Sequence, residues 1–523
     1  MIKSPGILSR PLALVSILLL CLLVYARVGQ FELLNWDDQV YITHNPLVNG
    51  EAPALNAWTA SFEGHYHPLV LWSLRFDHFL GDGEPQVFHL HNLILHLLNI
   101  LLVWMLLRQL PLGGNAPFWI SLAFALHPLQ VEAVAWATAR KDVLYAFWFL
   151  LSLLLWLRYV REGRRLWYGL ALLAFVLSLL SKGQAFVLAF LLPVADHFLG
   201  GRPLLKAHRL HYLPILLLAV AAALVAVRAQ DQTGYTSAAS YGVAPHWLAG
   251  NAAYALWSYV IRSLVPLGLS AYYTYPVPGI DLPVWLFWSA LPLAAGLVIG
   301  SIWLWWKRNP AGLGLMIFLI CMAPMLRLLP VSNFITADRY TYVALIGLFI
   351  AFFHWAGKGG ARLQEGVFAI LVLYFAVITA LRLPVWSDSL NLLNDTLAKH
   401  PQVVSALNSR GDVLLDQGKT GPAVADFSEA IRLRPDDARA YANRGRALAM
   451  SGEMQRALED LDMALVLDPE NTGVRLNHAM ALANLGRYDA SLRDLDHILA
   501  RNPANRLAAR LRQDVLTAMQ QTK

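Results

Sequence analysis

Residues 127–160 read HPLQVEAVAWATARKDVLYAFWFLLSLLLWLRYV. The first 16 hold a histidine, two carboxylates, an arginine and a lysine; the 18 that follow hold one charge, Arg158. A bilayer-spanning helix needs about 20 apolar residues, or slightly fewer where neighbours help. Chemistry-bearing side chains therefore sit at the mouth of a membrane span.

Apolar runs of this kind recur at 11–28, 88–107, 118–137, 142–160, 166–181, 184–199, 212–228, 283–306, 311–326, 338–357 and 365–383, eleven in all. They predict an all-α polytopic membrane domain of about 11 transmembrane helices over residues 1–384. Residues 247–265 are also apolar, but Asn251, Arg262 and flanking prolines leave that stretch open between a span, a re-entrant helix and an interfacial one. Lys3 and Arg10 ahead of the run from Pro11 to Tyr25 suit either a secretory signal or a retained first helix. The many later spans need something to orient them, which favours the retained helix.

Composition points the same way. Hydrophobic residues make up 57% of the chain and charged ones 14%, against roughly 25% charged in soluble domains, which excludes a wholly soluble enzyme. The net charge of +7 lies in the membrane part: up to Leu383 there are 24 Lys/Arg and 16 Asp/Glu, beyond it 17 and 18. That distribution disfavours nucleic acid as a partner. With the N-terminus inside and 247–265 not crossing, the inner loops collect Arg108, Arg158, Arg161, Arg164, Arg165, Arg202, Lys206, Arg209, Lys307, Arg308, Lys358 and Arg362, against Glu162, Asp196 and Glu365. Basic inner loops are the rule for membrane proteins, and the same topology puts the C-terminal tail outside. Cys21 and Cys321, both in apolar runs, form neither a disulfide framework nor a paired-cysteine metal site.

Residues 385–523 carry a different signal. Pro401, Pro435, Pro469 and Pro503 are spaced by 34, as are Gly418, Gly452 and Gly486, and Asp426, Asp460 and Asp494. That is the tetratricopeptide (TPR) period. Small residues fall where paired helices must cross: Gly411, Gly445 and Ala479 on the first helix, Ala423, Ala457 and Ser491 on the second. Three repeats are expected, bracketed by a half repeat from Trp386 to His400 and a closing helix near Arg506 to Met519. Such a solenoid either docks a protein along its groove or serves as a spacer or dimerisation arm, and docking is the commoner use.

Candidate chemistry clusters at span ends. Adjacent Asp37 and Asp38 lie just past the first run; as a repelling pair one of them suits a general base, and as loop acids they suit a cap. Arg140, Lys141 and Lys182 fall on the outer face, where positive charge is unfavoured, so they suit an anionic headgroup such as a phosphate, or else salt bridges to Glu132 or Asp142. A later segment adds Arg327, Asp338 and Arg339. His89, Asn92, His96 and Asn99 share one helix face and predict an interhelical seam rather than a metal site. Tyr235, Tyr241, Tyr272, Tyr273 and Tyr275 are expected to anchor at the interface or to stack on a sugar.

Together, NWDD with VYI and NP at 35–46, HPL at 67–69, HxxNLxLHxLN at 89–99, HPLxVExVAW with RKD at 127–142, SK at 181–182 and ADRYTY at 337–342 resemble the bacterial transmembrane and tetratricopeptide-repeat proteins. These are relatives of the protein O-mannosyltransferases in the GT-C glycosyltransferase superfamily. The resemblance implies an inverting transfer of a mannose-like sugar from a polyprenyl-phosphate carrier to a protein Ser/Thr hydroxyl, at the outer face of a bacterial inner membrane. It makes Asp37 the base and Asp38 its neighbour, and gives the carrier phosphate to Arg140, Lys141, Lys182 and Arg339. It implies no organic cofactor, and with no ligand cluster beyond the acid pair a divalent metal is not favoured. The partners expected are membrane lipid, the lipid-linked sugar, and an acceptor or partner protein in the TPR groove. Competing readings are a non-catalytic scaffold for envelope assembly, an oligosaccharide polymerase or ligase, and a transporter; the last would place charges near mid-membrane rather than at span ends.

Overall fold

The computed structural model describes residues 11–231, 247–326 and 334–521. Among them every regular element is helical, and strand-like pairing is confined to isolated bridges such as Tyr273 with Thr336. The chain divides into two compact units, Met1–Asp388 and Ser389–Lys523. The expected half repeat starts at Ser389 rather than Trp386, because the Trp386 ring is buried in the first unit, 6.1 Å from that of Trp136.

In chain order the first unit holds α1 (Pro11–Val24), α2 (Pro68–Gly81), α3 (Pro85–Gln109), α4 (Ala116–Leu126), α5 (Val131–Ala135), α6 (Arg140–Glu162) and α7 (Arg165–Ser181). Then come α8 (Leu188–His208), α9 (Tyr212–Asp231), α10 (Leu248–Leu264), α11 (Val284–Trp306), α12 (Pro310–Met322), α13 (Ala344–Ala356) and α14 (Ala361–Arg382). All eleven apolar runs are helical. Among the described residues seven helices are long and apolar enough to cross a membrane, the bent pair α4–α5 makes an eighth if it is counted as one span, and three more apolar helices are shorter, so the protein is an integral membrane protein.

The bend of 53° between α4 and the segment from Pro128 to Ala135 has a local cause. Pro128 cannot continue the helix, and His127 ends it in extended conformation, its Nδ1 accepting from the Leu129 amide at 3.1 Å while its Nε2 meets the Ser263 carbonyl at 3.0 Å. The other His-Pro-Leu, at 67–69, likewise opens a helix, α2. This helix is not among the predicted ones, since Arg75, Asp77 and His78 interrupt its apolar run.

α3 carries the predicted seam. Asn92 Nδ2 donates to the Trp136 carbonyl at 2.8 Å, Asn99 Nδ2 to the Val143 carbonyl at 2.9 Å, and His96 Nδ1 lies 2.7 Å from the Tyr342 hydroxyl. These bonds seat the start of α6 and the segment before α13 against one helix. α12 and α13 cross in backbone contact: a Cβ on Gly314 would lie 2.3 Å from the Gly347 carbonyl oxygen. α10, the stretch left open by the sequence, buries Asn251 and Arg262, and Arg262 Nη2 donates to Thr336 Oγ1 at 2.7 Å.

The second unit is the expected stack of helix pairs, α15 (Ser389–Lys399), α16 (Val404–Asp416), α17 (Thr420–Leu433), α18 (Ala438–Met450), α19 (Met454–Leu467), α20 (Thr472–Asn484), α21 (Tyr488–Arg501) and α22 (Arg506–Gln521). A Cβ on Gly411 would sit 2.5 Å from the Phe427 ring, which is why the crossing position is small. Gly418, Gly452 and Gly486 take φ of +74°, +85° and +71° at the turn inside each pair, a backbone region that favours glycine.

A polar ladder runs through this stack with the same period. Arg410 makes a bidentate pair with Asp426 at 2.7 and 2.8 Å and donates to Asn394 at 3.0 Å; Arg444 does the same with Asp460, and donates to Ser428 at 3.2 Å. His478 meets Asp494 at 2.6 Å and Asp462 at 3.0 Å, and Arg512 meets Asp496 at 2.6 Å.

Candidate active site

The loop after α1 is held by Asp38. This carboxylate is fully buried; Oδ2 accepts from the Leu34 amide at 2.8 Å, and Oδ1 from the Thr138 amide at 2.9 Å and from the Thr138 hydroxyl. Burial pushes its pKa up to about 6, against the opposing pull of those donors. Asp38 thus staples the loop to the turn 137–139, immediately before the Arg140-Lys141-Asp142 start of α6. The bonds of its side chain go to the Leu34 amide and to the Thr138 amide and hydroxyl, so it is a brace for the site.

Asp37 differs in kind. It is partly buried, and among the described residues its side chain makes neither a hydrogen bond nor an ion pair; only its carbonyl is used, by Val40 and Tyr41. An adjacent pair in the sequence therefore divides into one spent carboxylate and one available carboxylate.

The cations divide in the same way. Arg140 is turned into the unit interior, where Nε donates to Asn92 Oδ1, Nη1 to Ser73 Oγ and Nη2 to Asp77 Oδ2, each at 2.5 Å, and Nη2 also to the Phe88 carbonyl at 2.9 Å. Asp77 is shared with His91 Nδ1 at 2.6 Å. The expectation that Arg140 faces a phosphate is corrected by this geometry: its guanidinium is fully buried and its donors are consumed in tying α2 and α3 to α6.

Lys141, Arg339 and Lys182 stand together on shared rings. Lys141 Nζ lies 5.4 Å from the Trp136 ring centre and Arg339 lies 5.1 Å from it; Arg339 and Lys182 lie 5.0 and 5.1 Å from the ring of Tyr340. Cations over aromatic faces at such distances are attracted by the ring quadrupole. Lys141 also sits 5.0 Å from the ring of Tyr41, which stacks on His67 at 5.5 Å. Burial, with Lys141 and other cations beside it, drives the His67 pKa well down, so the ring stays neutral.

Two of these cations carry their own counter-ions. Lys182 Nζ bonds Asp142 Oδ1 at 2.6 Å; Glu132 takes the Arg339 guanidinium with one oxygen and the Arg339 amide with the other, the latter at 2.9 Å. Of the salt bridges that the sequence offered as the plainer reading, Lys182 with Asp142 exists, whereas Glu132 is taken by Arg339. Lys141 has no carboxylate within ion-pair reach among the described residues. The charges acting on it are those of Asp37, Arg339, Asp142 and Lys182, so Asp37 belongs to the neighbourhood of this cation cluster, called the cleft below. The cleft keeps one unpaired carboxylate and one unpaired ammonium, backed by two neutralised cations.

Around it, Tyr273 donates to Asp338 Oδ1 at 2.8 Å beneath the Arg262 guanidinium, and Tyr272 stands edge-on to Trp36. Tyr235, Tyr241 and Arg327 lie outside the described residues. Among the described residues no three His, Cys, Asp or Glu side chains converge as a metal site. Sequence reading missed Asp77, Ser73 and the rings of Trp136 and Tyr340. A buried arginine always needs acceptors, and that requirement is the signal that would have pointed to α2.

Residues 409–472 and 444–515 match the tetratricopeptide repeat family, so the second unit is a TPR domain. Over 80% of the chain, 25% of aligned residues are identical to the Drosophila melanogaster protein O-mannosyl-transferase Tmtc3, covering 55% of that protein. Its homologues are protein O-mannosyl-transferases. Human protein O-mannosyl-transferase TMTC1 is 33% identical over 27% of the chain and 17% of its own length. The chain spans about half the length of the first of these relatives. A solved structure, the apo Archaeoglobus fulgidus oligosaccharyltransferase, aligns with 76% of this chain and 58% of its own at 15% identity and a TM-score of 0.40.

Proposed function

We propose that the protein is a membrane glycosyltransferase that moves a mannose-like sugar from a polyprenyl-phosphate carrier to a protein Ser or Thr hydroxyl, with inversion, at the outer membrane face. The observation that carries this reading is the division of the acid pair: Asp38 is spent on the Leu34 and Thr138 donors, while Asp37 is left without a partner in a cleft with Lys141. Asp37 takes the acceptor hydroxyl proton as that oxygen attacks the anomeric carbon. The bond from that carbon to the phosphate oxygen breaks, and the leaving phosphate carries its charge toward Lys141, with Arg339 and Lys182 beside it. No step needs a metal from these residues. The TPR groove is the place for the acceptor protein. The homologues' names support transfer to protein.

A non-catalytic scaffold has one observation in its favour, a TPR stack of the kind that docks proteins. The deciding experiment is transfer of labelled mannose from polyprenyl-phosphate mannose to a Ser/Thr-rich peptide by the purified full chain. Asp37→Asn should lower turnover by about 100-fold or more with an unchanged melting profile. Product formed equally by both proteins removes Asp37 from the chemistry.

A further inference from the structure

At the end of the membrane unit opposite the cleft, α8 breaks. Gly201, at φ 68° and ψ −157°, interrupts it, and Arg308 closes off its first half by donating to the carbonyls of Phe198 at 2.9 Å and Leu199 at 2.6 Å. A short second half follows to His208, before α9 begins at Tyr212. It is tied back onto the unit through buried Asp196, which bonds His208 Nδ1 at 2.7 Å, Trp156 Nε1 at 2.9 Å and the Tyr212 hydroxyl at 2.5 Å.

This half-helix and the turn that follows it read Arg202-Pro-Leu-Leu-Lys-Ala-His-Arg-Leu210. Its anchored side is His208; Arg202, Lys206 and Arg209, at offsets of four and three, share the exposed side. Among the described residues none of the three has a carboxylate partner. Nearby acids are already engaged: Asp196 as above, and Glu162 with Arg158 at 3.0 Å and Trp167 at 2.7 Å. Arg202 lies 5.1 Å from the ring of Trp306 and Lys307 lies 4.0 Å from that of Trp303, two exposed indoles at the end of α11. Indoles and cations at a span end mark the headgroup level of a bilayer.

That level is one membrane thickness from the cleft. α6 starts at the Arg140-Lys141 pair and ends at Glu162, a helix of 23 residues that spans about 33 Å along its axis. The surplus charge at this end is met neither by the protein nor by the cleft chemistry. We propose that residues 202–210 lie in the plane of the membrane surface and, with Lys307, form a docking face for anionic phospholipid headgroups. A short helix between two spans, with a cationic exposed side and leucines beside it, is built for that interface, and each cation near an anionic surface adds to the attraction. This inference does not depend on the transferase reading.

The test reconstitutes the full chain in vesicles of phosphatidylcholine mixed with phosphatidylglycerol and counts retained lipids by native mass spectrometry. Wild type should retain phosphatidylglycerol in preference. Arg202→Gln/Lys206→Gln/Arg209→Gln should lower that preference roughly tenfold or more. Arg487→Gln/Arg493→Gln/Arg506→Gln, an equal charge change in the TPR unit, should leave it alone. Equal retention of the two lipids by wild type, as an acidic protein occupant would give, overturns the proposal, as does an equal drop in the control. Lys206→Gln alone, one exposed change that does not threaten the fold, should give part of the loss; no loss counts against the proposal.

Discussion

The cleft and the TPR ladder use the same ingredients to opposite ends. In the ladder two successive guanidiniums are answered from both sides: Arg444 holds Asp460 with two bonds and Ser428 with a third, and Arg410 repeats the pattern one period earlier. In the cleft Glu132 and Asp142 answer two cations, and Asp37 and Lys141 stay unpaired. Repetition with complete pairing marks charge that holds structure. An incomplete count in a partly buried place marks charge kept for something that is not part of the chain.

The comparison breaks most readily at Arg140, which sits beside the cleft in sequence and behaves like the ladder. Removing one partner of its fully buried pair leaves the other charge stranded, so Arg140→Met or Asp77→Leu alone should cost about 3–5 kcal/mol, read as a lower melting temperature in detergent. The double variant should recover part of the loss. An unaffected melting temperature with weaker donor use would return Arg140 to the phosphate. The next largest contrast is within the acid pair. Asp38→Asn keeps one acceptor oxygen and turns an amide toward donors, so it should destabilise by about 1–3 kcal/mol, whereas Asp37→Asn should change turnover and leave melting alone. Equal melting of the two variants would erase the distinction drawn from their hydrogen bonds.

How far this was legible from the sequence differs by level. The TPR unit was readable almost to the residue, because a 34-residue period repeats its steric demands: Gly411 must be small against Phe427, and Gly418 must take positive φ. The apolar runs were readable as helices, although the His127-Pro128 break and the missing α2 show where composition averages over a bend or a charged interruption. The site was legible as a set of residue types on one face. What spacing cannot carry is direction: Arg140 and Lys141 are neighbours, yet one points into α2 and α3 and the other over Tyr41 and Trp136. The choice is made by Asp77, 63 residues away in the chain.

The smallest expected effect lies in the ladder itself, at the rung where histidine replaces arginine. Burial disfavours the charged form of His478, but Asp494 and Asp462 on either side outweigh it and hold its pKa above the ordinary value. A group whose folded pKa is raised contributes stability that is fully present below the unfolded value and is lost as pH rises through the folded one. The rung at α20 should therefore loosen between about pH 6.5 and mildly alkaline pH, while the rung at Arg444 stays closed. Hydrogen exchange on the full chain, corrected for intrinsic rates, should show protection of α20 and α21 falling over that window relative to α18 and α19. His478→Arg, which restores the pattern of the two preceding rungs, should remove the difference. A pH-independent protection profile in wild type would mean that the two aspartates hold the imidazole by hydrogen bonds alone, and that the rung does not need its charge.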